Sequence, residues 1–106
     1  MPEISAPVST LIEAANRHDT GGFLACFSDD GVVDDWGREF RGADAIRGWS
    51  DRELIGVNVR LDVVDVGEAG PTVTVTAEVG GDGFNGPSHF TFTVAGDRIT
   101  RMAIRA

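Results

Sequence analysis

Residues 27–42 read FSDDGVVDDWGREFRG, and this stretch decides the fold that we predict for the chain. It holds four aspartates and one of the two tryptophans. Residues 28–31 are expected to end a helix, and residues 32–36 to form a short apolar strand. Gly37 then turns the chain into a second strand over 38–41. The stretch therefore marks the point where helices give way to a sheet.

The apolar spacing upstream predicts two helices. The first runs over 7–18, and its apolar stripe has the i, i+3, i+4, i+7 spacing of Val8, Leu11, Ile12 and Ala15. Ser5 is a candidate N-cap for this helix. After a break, Asp19 or Thr20 is placed to cap a second, short helix, whose apolar residues are Phe23, Leu24 and Phe27.

Downstream, residues 43–54 predict a third helix around Ile46 and Trp49, and Gly48 within it predicts a short or irregular one. The period then changes from 3.6 to 2. Alternating apolar residues predict strands over 57–63, 72–79 and 89–94, and a last strand with Ile99, Met102 and Ile104. The alternation slips at Val63 and Val64, which predicts a β-bulge.

Glycine-rich segments separate these strands. Residues 67–71 and 95–97 are predicted turns, and the longer GGDGFNGP connection over 80–87 is expected to form a rim or lid. Three helices followed by a meander predict a single α+β domain over 1–106. Its helices pack on one face of a curved, mostly antiparallel sheet. Such a sheet closed by helices forms a cone with an internal pocket.

The composition excludes several classes of protein. The net charge is −8 and no basic stripe is present, which argues against nucleic acid and anionic membrane surfaces as partners. No apolar run reaches the roughly 20 residues that span a bilayer, and the N-terminus lacks a signal-peptide pattern, so we expect a cytoplasmic protein. All nine basic residues are arginine, a bias typical of GC-rich bacterial genomes. The lone Cys26 is expected to be buried as a small hydrophobe.

The order of these segments resembles the SnoaL-like branch of the nuclear transport factor 2-like superfamily, which includes the ketosteroid isomerases. The local marks are NRHD before the second helix, FSDDGVVDDWG, FRGADAIRGW and the late HFTF strand. The resemblance covers almost the whole chain and implies a cone-shaped α+β barrel, commonly a homodimer, with an internal cavity. Members include isomerases, cyclases, dehydratases, epoxide hydrolases and proteins without any chemistry, so the fold alone does not assign a function.

The resemblance also implies a site. The general base of ketosteroid isomerase is the aspartate that ends the segment matching GVVDD, which is Asp35 in this chain. Its two oxyanion donors, a tyrosine and a protonated aspartate, correspond here to Leu11 and Ser88. An aspartate base without these donors lacks the contribution that usually stabilises an enolate most. Steroid isomerisation is therefore not expected.

The adjacent Asp34 and Asp35 point to opposite faces of a strand. If Val33 and Asp35 face inward, Asp35 enters the cavity, whereas the other register leaves it exposed. An unpaired carboxylate in the pocket would suit a general base near neutral pH. The alternative is an ion pair with Arg38 or Arg41, which would make Asp35 structural.

Other candidates follow from the same alternation. Ser88 shares the inward face of Phe90, as a hydrogen-bond donor, whereas His89 is expected to face outward. Trp36 and Trp49 either stack on a flat apolar ligand or close the core, and both readings stay open. No grouping of His, Cys, Asp and Glu has metal-site spacing, and no glycine-rich loop has the pattern of a nucleotide site, so no cofactor is expected.

We therefore predict a pocket for an apolar or aromatic small molecule. Asp35 is the candidate base, and the candidate substrate-binding residues are Trp36, Arg38, Trp49, Ser88 and Phe90. The chemistry would be cofactor-independent proton transfer of an isomerase, cyclase or dehydratase type. The rival prediction is a non-catalytic module whose cavity is filled by its own aromatic side chains, namely Phe27, Trp36, Trp49, Phe84 and Phe90. The threonine-rich outer sheet face favours a homodimer.

Overall fold

The computed structural model of the chain describes residues 5–105. Within them, the helices are α1 (Ala6–Asn16), α2 (Thr20–Ala25) and α3 (Ala43–Glu53), and a short 3₁₀ turn spans Ile55–Val57. The strands are β1 (Phe27–Asp35), β2 (Arg38–Arg41), β3 (Arg60–Ala69), β4 (Thr72–Gly80), β5 (Gly86–Ala95) and β6 (Arg98–Arg105). This is the predicted α+β class, with three helices on a curved six-stranded sheet.

The sheet order is β2-β1-β6-β5-β4-β3. The pair β1–β6 is parallel and the other four pairs are antiparallel, so the sheet is mixed. The inner face carries alternate apolar residues of the long strands and packs against the helices. The largest fully buried side chains of this core are Trp49, Phe23, Phe92, Leu11, Ile46, Ile99 and Met102.

The helix termini follow local capping chemistry. Asp19 caps α2, since its Oδ1 accepts a hydrogen bond from the backbone N–H of Gly22 at 3.0 Å. Ser5 occupies the N-cap position of α1, but its side chain makes no capping hydrogen bond. Cys26 follows α2 and is buried as predicted, and this burial raises the pKa of its thiol. No helix among residues 5–105 is long and apolar enough to cross a membrane.

Three predictions around β1 are wrong. Phe27 belongs to β1 and not to the second helix, and residues 28–31 continue the strand instead of ending a helix. Phe27 pairs with Ile99 of β6, and the register shifts before Val32, so this acidic segment forms an irregular part of the strand. Trp36 also lies outside the strand, because it forms the turn between β1 and β2 with Gly37.

Further along the chain, α3 is regular across Gly48, so the predicted short or irregular helix is wrong. A single glycine costs about 1 kcal/mol, which burial of Ile46 and Trp49 exceeds. Val57 lies in the 3₁₀ turn, and residues 67–69 extend β3 instead of forming a turn. The predicted bulge is confirmed, since the register of β3 against β4 shifts between Val63 and Asp65.

The outer face of the sheet carries an ion-pair cluster centred on Asp34. Its Oδ2 accepts hydrogen bonds from Arg101 at 2.6 Å and Arg105 at 3.1 Å, and its Oδ1 accepts from the Gly37 N–H at 2.7 Å. Arg101 also pairs with Glu39 of β2 at 3.0 Å. The cluster joins β2, β1 and β6. The hydrogen bond from Arg105 is the largest of several contributions that lower the pKa of Asp34 despite its burial.

We expect Asp34→Asn to lower the free energy of unfolding at pH 7 by about 1–2 kcal/mol, because two partly exposed arginines lose a charged partner. The pKa of Asp34 is lower in the folded state than the unfolded value of about 3.9, so its contribution is present above that value. This contribution of Asp34 to the free energy of unfolding is lost as the pH falls through the pKa that Asp34 has in the folded state.

Urea unfolding of both proteins at pH 7 and pH 3 measures this difference. The gap between wild type and Asp34→Asn should narrow at pH 3. Asp65→Asn, which changes an exposed aspartate of β3, is the control and should alter the free energy of unfolding by less than about 0.5 kcal/mol. A gap that is equal at both pH values would contradict the assigned role of Asp34.

Candidate functional site

A cavity of about 340 Å³ opens on the inner side of the sheet, near the end of α3. All six residues predicted for the site line it: Asp35, Trp36, Arg38, Trp49, Ser88 and Phe90. Apolar side chains that include Leu54, Val59 and Val79 form much of the remaining wall. The loop over 81–85 contributes Phe84, which is 57% exposed. The cavity thus combines an apolar wall with a small number of charged groups, as small-molecule sites usually do.

Asp35 is the last residue of β1, and its side chain lies on the inner face opposite Ile104 of β6. Its Oδ2 accepts two hydrogen bonds, one from Trp49 Nε1 at 3.0 Å and one from Arg38 Nη2 at 2.5 Å. Its Oδ1 has no hydrogen-bond donor among residues 5–105, and no buried side-chain oxygen of these residues lacks a partner. Oδ1 is therefore not fully buried, and it is the oxygen of Asp35 that is free to accept a hydrogen bond from a ligand.

Arg38 joins Asp35 to Glu53, the last residue of α3. Its Nη1 and Nη2 donate to the two carboxylate oxygens of Glu53 at 3.0 and 2.7 Å. This bidentate contact lowers the pKa of Glu53, and the two carboxylates together raise the pKa of Arg38. The expectation of an unpaired Asp35 is therefore wrong. Of the two alternatives considered, the partner is Arg38, whereas Arg41 contacts the carbonyl oxygen of Asp30 at 3.4 Å.

Trp36 and Gly37 form the two-residue loop of the β1–β2 hairpin. Their φ values are +54° and +92°, the pattern of a type I′ turn. Asn or Gly is preferred at the first position, because a positive φ strains a bulky side chain. The indole is nonetheless 59% exposed beside the cavity. The chain thus holds a strained aromatic residue at the mouth, whereas Trp49 is buried in the core and bonded to Asp35.

Ser88 and Phe90 lie on the inner face of β5, and both are buried. Ser88 lines the cavity, so its hydroxyl is a candidate donor to a ligand there. His89 is exposed and lies opposite Thr76 and Arg105, away from the cavity as its parity predicts. Over the described part of the chain, no group of three or more His, Cys, Asp and Glu side chains is arranged to hold a metal ion.

Two charged residues of the site were not predicted from the sequence. Arg52 and Glu53 end α3 and line the cavity together with Trp49. Their i, i+3 and i+4 spacing from Trp49 was the available signal, since it places all three on one helix face. The aromatic filling that the rival prediction requires is incomplete, because Phe27 does not line the cavity, and Trp36 and Phe84 are mostly exposed.

The chain matches known proteins at the level of family and fold. The family model described as a SnoaL-like domain matches residues 8–102. No curated protein sequence matches the chain.

Several solved structures share the fold. A candidate polyketide cyclase from Sinorhizobium meliloti is 24% identical, with a TM-score of 0.85 and coverage of 96% of this chain and 95% of that chain. A Catenulispora acidiphila protein with a ketosteroid isomerase-like fold, in complex with trimethylamine, is 23% identical, with a TM-score of 0.84 and coverage of 98% and 87%. A Mycobacterium tuberculosis protein in complex with estradiol-17β-hemisuccinate is 17% identical, with a TM-score of 0.81 and coverage of 98% and 95%.

We expect Trp36→Asn to raise the free energy of unfolding by about 0.5–1 kcal/mol, because Asn adopts the positive φ of a type I′ turn with less strain. Urea denaturation followed by circular dichroism measures the change. Trp36→Phe is the matched control, since it keeps both an aromatic ring and the strain, and its stability should stay close to that of wild type. A less stable Trp36→Asn protein would show that packing of the indole outweighs the backbone strain.

Proposed function

The chain belongs to the SnoaL-like family of the nuclear transport factor 2-like superfamily, and we propose that its cavity binds an apolar or aromatic small molecule. We propose further that Asp35 is a general base for proton transfer there. The observation that carries this proposal is the asymmetry of the Asp35 carboxylate. Its Oδ2 is held by Arg38 and Trp49, whereas its Oδ1 has no protein donor among the described residues.

This asymmetry suits proton abstraction. Two donors on Oδ2 fix the position and plane of the carboxylate, so Oδ1 meets a bound ligand without reorganisation. Trp36 offers an aromatic face at the mouth, and Phe90 offers an apolar wall within the cavity. The Ser88 hydroxyl is placed to donate to a ligand oxygen. These roles describe a cofactor-independent isomerase, cyclase or dehydratase that acts on an acidic C–H bond.

The donors of the site limit the substrates. Leu11, which stands at the position of an oxyanion tyrosine, is buried in the core and cannot donate a hydrogen bond. Ser88 supplies one neutral donor where ketosteroid isomerase has a protonated aspartate. Developing negative charge would thus receive little stabilisation. Substrates whose carbanion is already delocalised suit this site better than steroid enones do.

The comparisons support the binding part of the proposal. Proteins of the same fold are complexed with trimethylamine and with estradiol-17β-hemisuccinate, and another is described as a candidate polyketide cyclase. These ligands belong to those proteins, and they support a small organic molecule as the occupant of this cavity.

The Arg38 ion pair favours a second candidate function. Arg38 donates to Oδ2 of Asp35 and engages that oxygen in an ion pair within the protein. The same geometry suits a non-catalytic binding protein, in which Asp35 accepts a hydrogen bond from a ligand N–H or O–H. Binding is common to both functions, and only the fate of the proton separates them.

We expect wild type to accelerate deuterium exchange at C1 of 2-tetralone, a small bicyclic ketone in which this methylene is both benzylic and α to the carbonyl, above the rate in buffer of equal pH. Asp35→Asn should reduce this exchange to the buffer rate, because an amide does not accept the proton. Proton NMR in D₂O measures the exchange. Asp65→Asn, which removes an exposed acid outside the cavity, should exchange at the rate of wild type.

Binding is measured separately with 2-naphthamide, a neutral bicyclic probe, by titration calorimetry. Val79→Phe narrows the cavity and should weaken this binding, whereas Asp65→Asn, outside the cavity, should bind the probe with the affinity of wild type. Unchanged exchange in Asp35→Asn would remove Asp35 as the base. Binding by wild type without any exchange would favour the non-catalytic function.

We also propose that the protein is a homodimer through the outer face of the sheet. Half-buried threonines of β4 and β5 form a broad polar surface there: Thr72, Thr74, Thr76, Thr91 and Thr93. The charges of the Asp34 cluster beside this surface are paired within the chain, which reduces their cost of burial. Sedimentation equilibrium at micromolar concentration should give twice 11.2 kDa. A value of 11.2 kDa would remove the dimer.

A further inference from the structure

Arg52 is a cation of the cavity whose role differs from that of Arg38. Both arginines line the cavity, but Arg38 is committed to Asp35 and Glu53 through three hydrogen bonds. Arg52 forms no ion pair with an acid of residues 5–105. Its guanidinium therefore retains its hydrogen-bonding capacity at the cavity.

The Arg52 side chain lies beside Gly48. A Cβ on Gly48 would lie 3.2 Å from Arg52 Nη1, so the arginine lies back along α3 over the bare glycine. Glycine inside a helix costs about 1 kcal/mol relative to alanine. The chain thus has a poor helix former at the position against which Arg52 rests, next to the cavity residue Trp49.

The charges of the lining balance, although the chain as a whole is acidic. Two carboxylates, Asp35 and Glu53, face two guanidiniums, those of Arg38 and Arg52. The net charge of the chain is −8. Both carboxylates are bonded to Arg38, so Arg52 is the one charged group of these four that forms no ion pair within residues 5–105. The exposed rings of Trp36 and Phe84 lie on the same lining.

We propose that the cavity selects apolar or aromatic acids, and that Arg52 pairs with the carboxylate of the ligand at the mouth. The inference rests on the proposed function, because it assumes that the cavity binds a small molecule. The aromatic body of the ligand enters between the apolar walls, and the carboxylate stays at the end of α3. The carboxylate of Asp35 is the other polar group of the cavity, and it would repel the carboxylate of a ligand.

Two features oppose an anion at this point and limit the preference. The C-terminal end of α3 carries partial negative charge, and Glu53 lies next to Arg52. Glu53 is bonded through both oxygens to Arg38, which leaves it a weak competitor for Arg52. We therefore expect a preference of about fivefold, as for a partly exposed ion pair, and not a larger one.

The test compares two probes of nearly equal shape, 2-naphthoate and 2-naphthamide, by titration calorimetry at pH 7 and low salt. Wild type should bind the naphthoate about fivefold more tightly than the naphthamide. Arg52→Gln should remove this preference by weakening naphthoate binding. Arg47→Gln is the matched control, because Arg47 is an exposed arginine of the same helix outside the cavity. It removes the same net charge and should keep the preference.

Each other outcome overturns the inference in a distinguishable way. If wild type binds both probes equally, or if Arg52→Gln keeps the preference, the role of Arg52 fails while the cavity still binds. If Arg47→Gln loses the preference as well, net charge and not Arg52 sets the selectivity. If neither probe binds to wild type, the inference and the proposed binding function fail together.

Discussion

The pleat of β1 sends the carboxylates of two adjacent aspartates to opposite faces of the sheet. Asp34 faces outward and pairs with arginines of β6, which joins the parallel strands β1 and β6. Asp35 faces inward and pairs with Arg38 of β2, which in turn holds the end of α3. A slip of one residue would exchange the two carboxylates. The outer cluster and the inner site are thus positioned by one register.

The hydrogen bonds and ion pairs that engage the charged groups of the inner site also hold the site in place. Trp49 supports Asp35 from α3 and Arg38 supports it from β2, so the carboxylate is rigid before a ligand arrives. Rigidity of this kind favours catalysis and selective binding, because less conformational entropy is lost when a ligand binds. It also restricts the chemistry, since only Oδ1 of Asp35 stays free of hydrogen bonds from residues 5–105.

Much of the fold was predictable, because periodicity is a local property of the sequence. The helix α1, the alternating strands and the bulge near Val63 followed from it. The start of β1 was not predictable, because Ser-Asp-Asp-Gly is typical of a turn. Its strand conformation depends on the pairing of Phe27 with Ile99, which is distant in the sequence. The inward position of Ser88 followed from its alternation with Phe90, whereas alternation left two registers open for Asp35 and the family resemblance indicated the inward one. The pairing of Arg38 with Glu53 required the path of α3, which no local pattern gives.

The two edge strands of the sheet differ from its central strands. One edge is β2, only four residues long, and the other is β3, which is interrupted by the bulge and bears exposed acids at Asp62 and Asp65. Short, bulged and charged edges are poor templates for strand addition. The fold can therefore keep an exposed Val64 on β3 without offering a flat edge for continuous polymerisation into fibres. The contact between copies that we propose lies on the face of the sheet and uses neither of its edges.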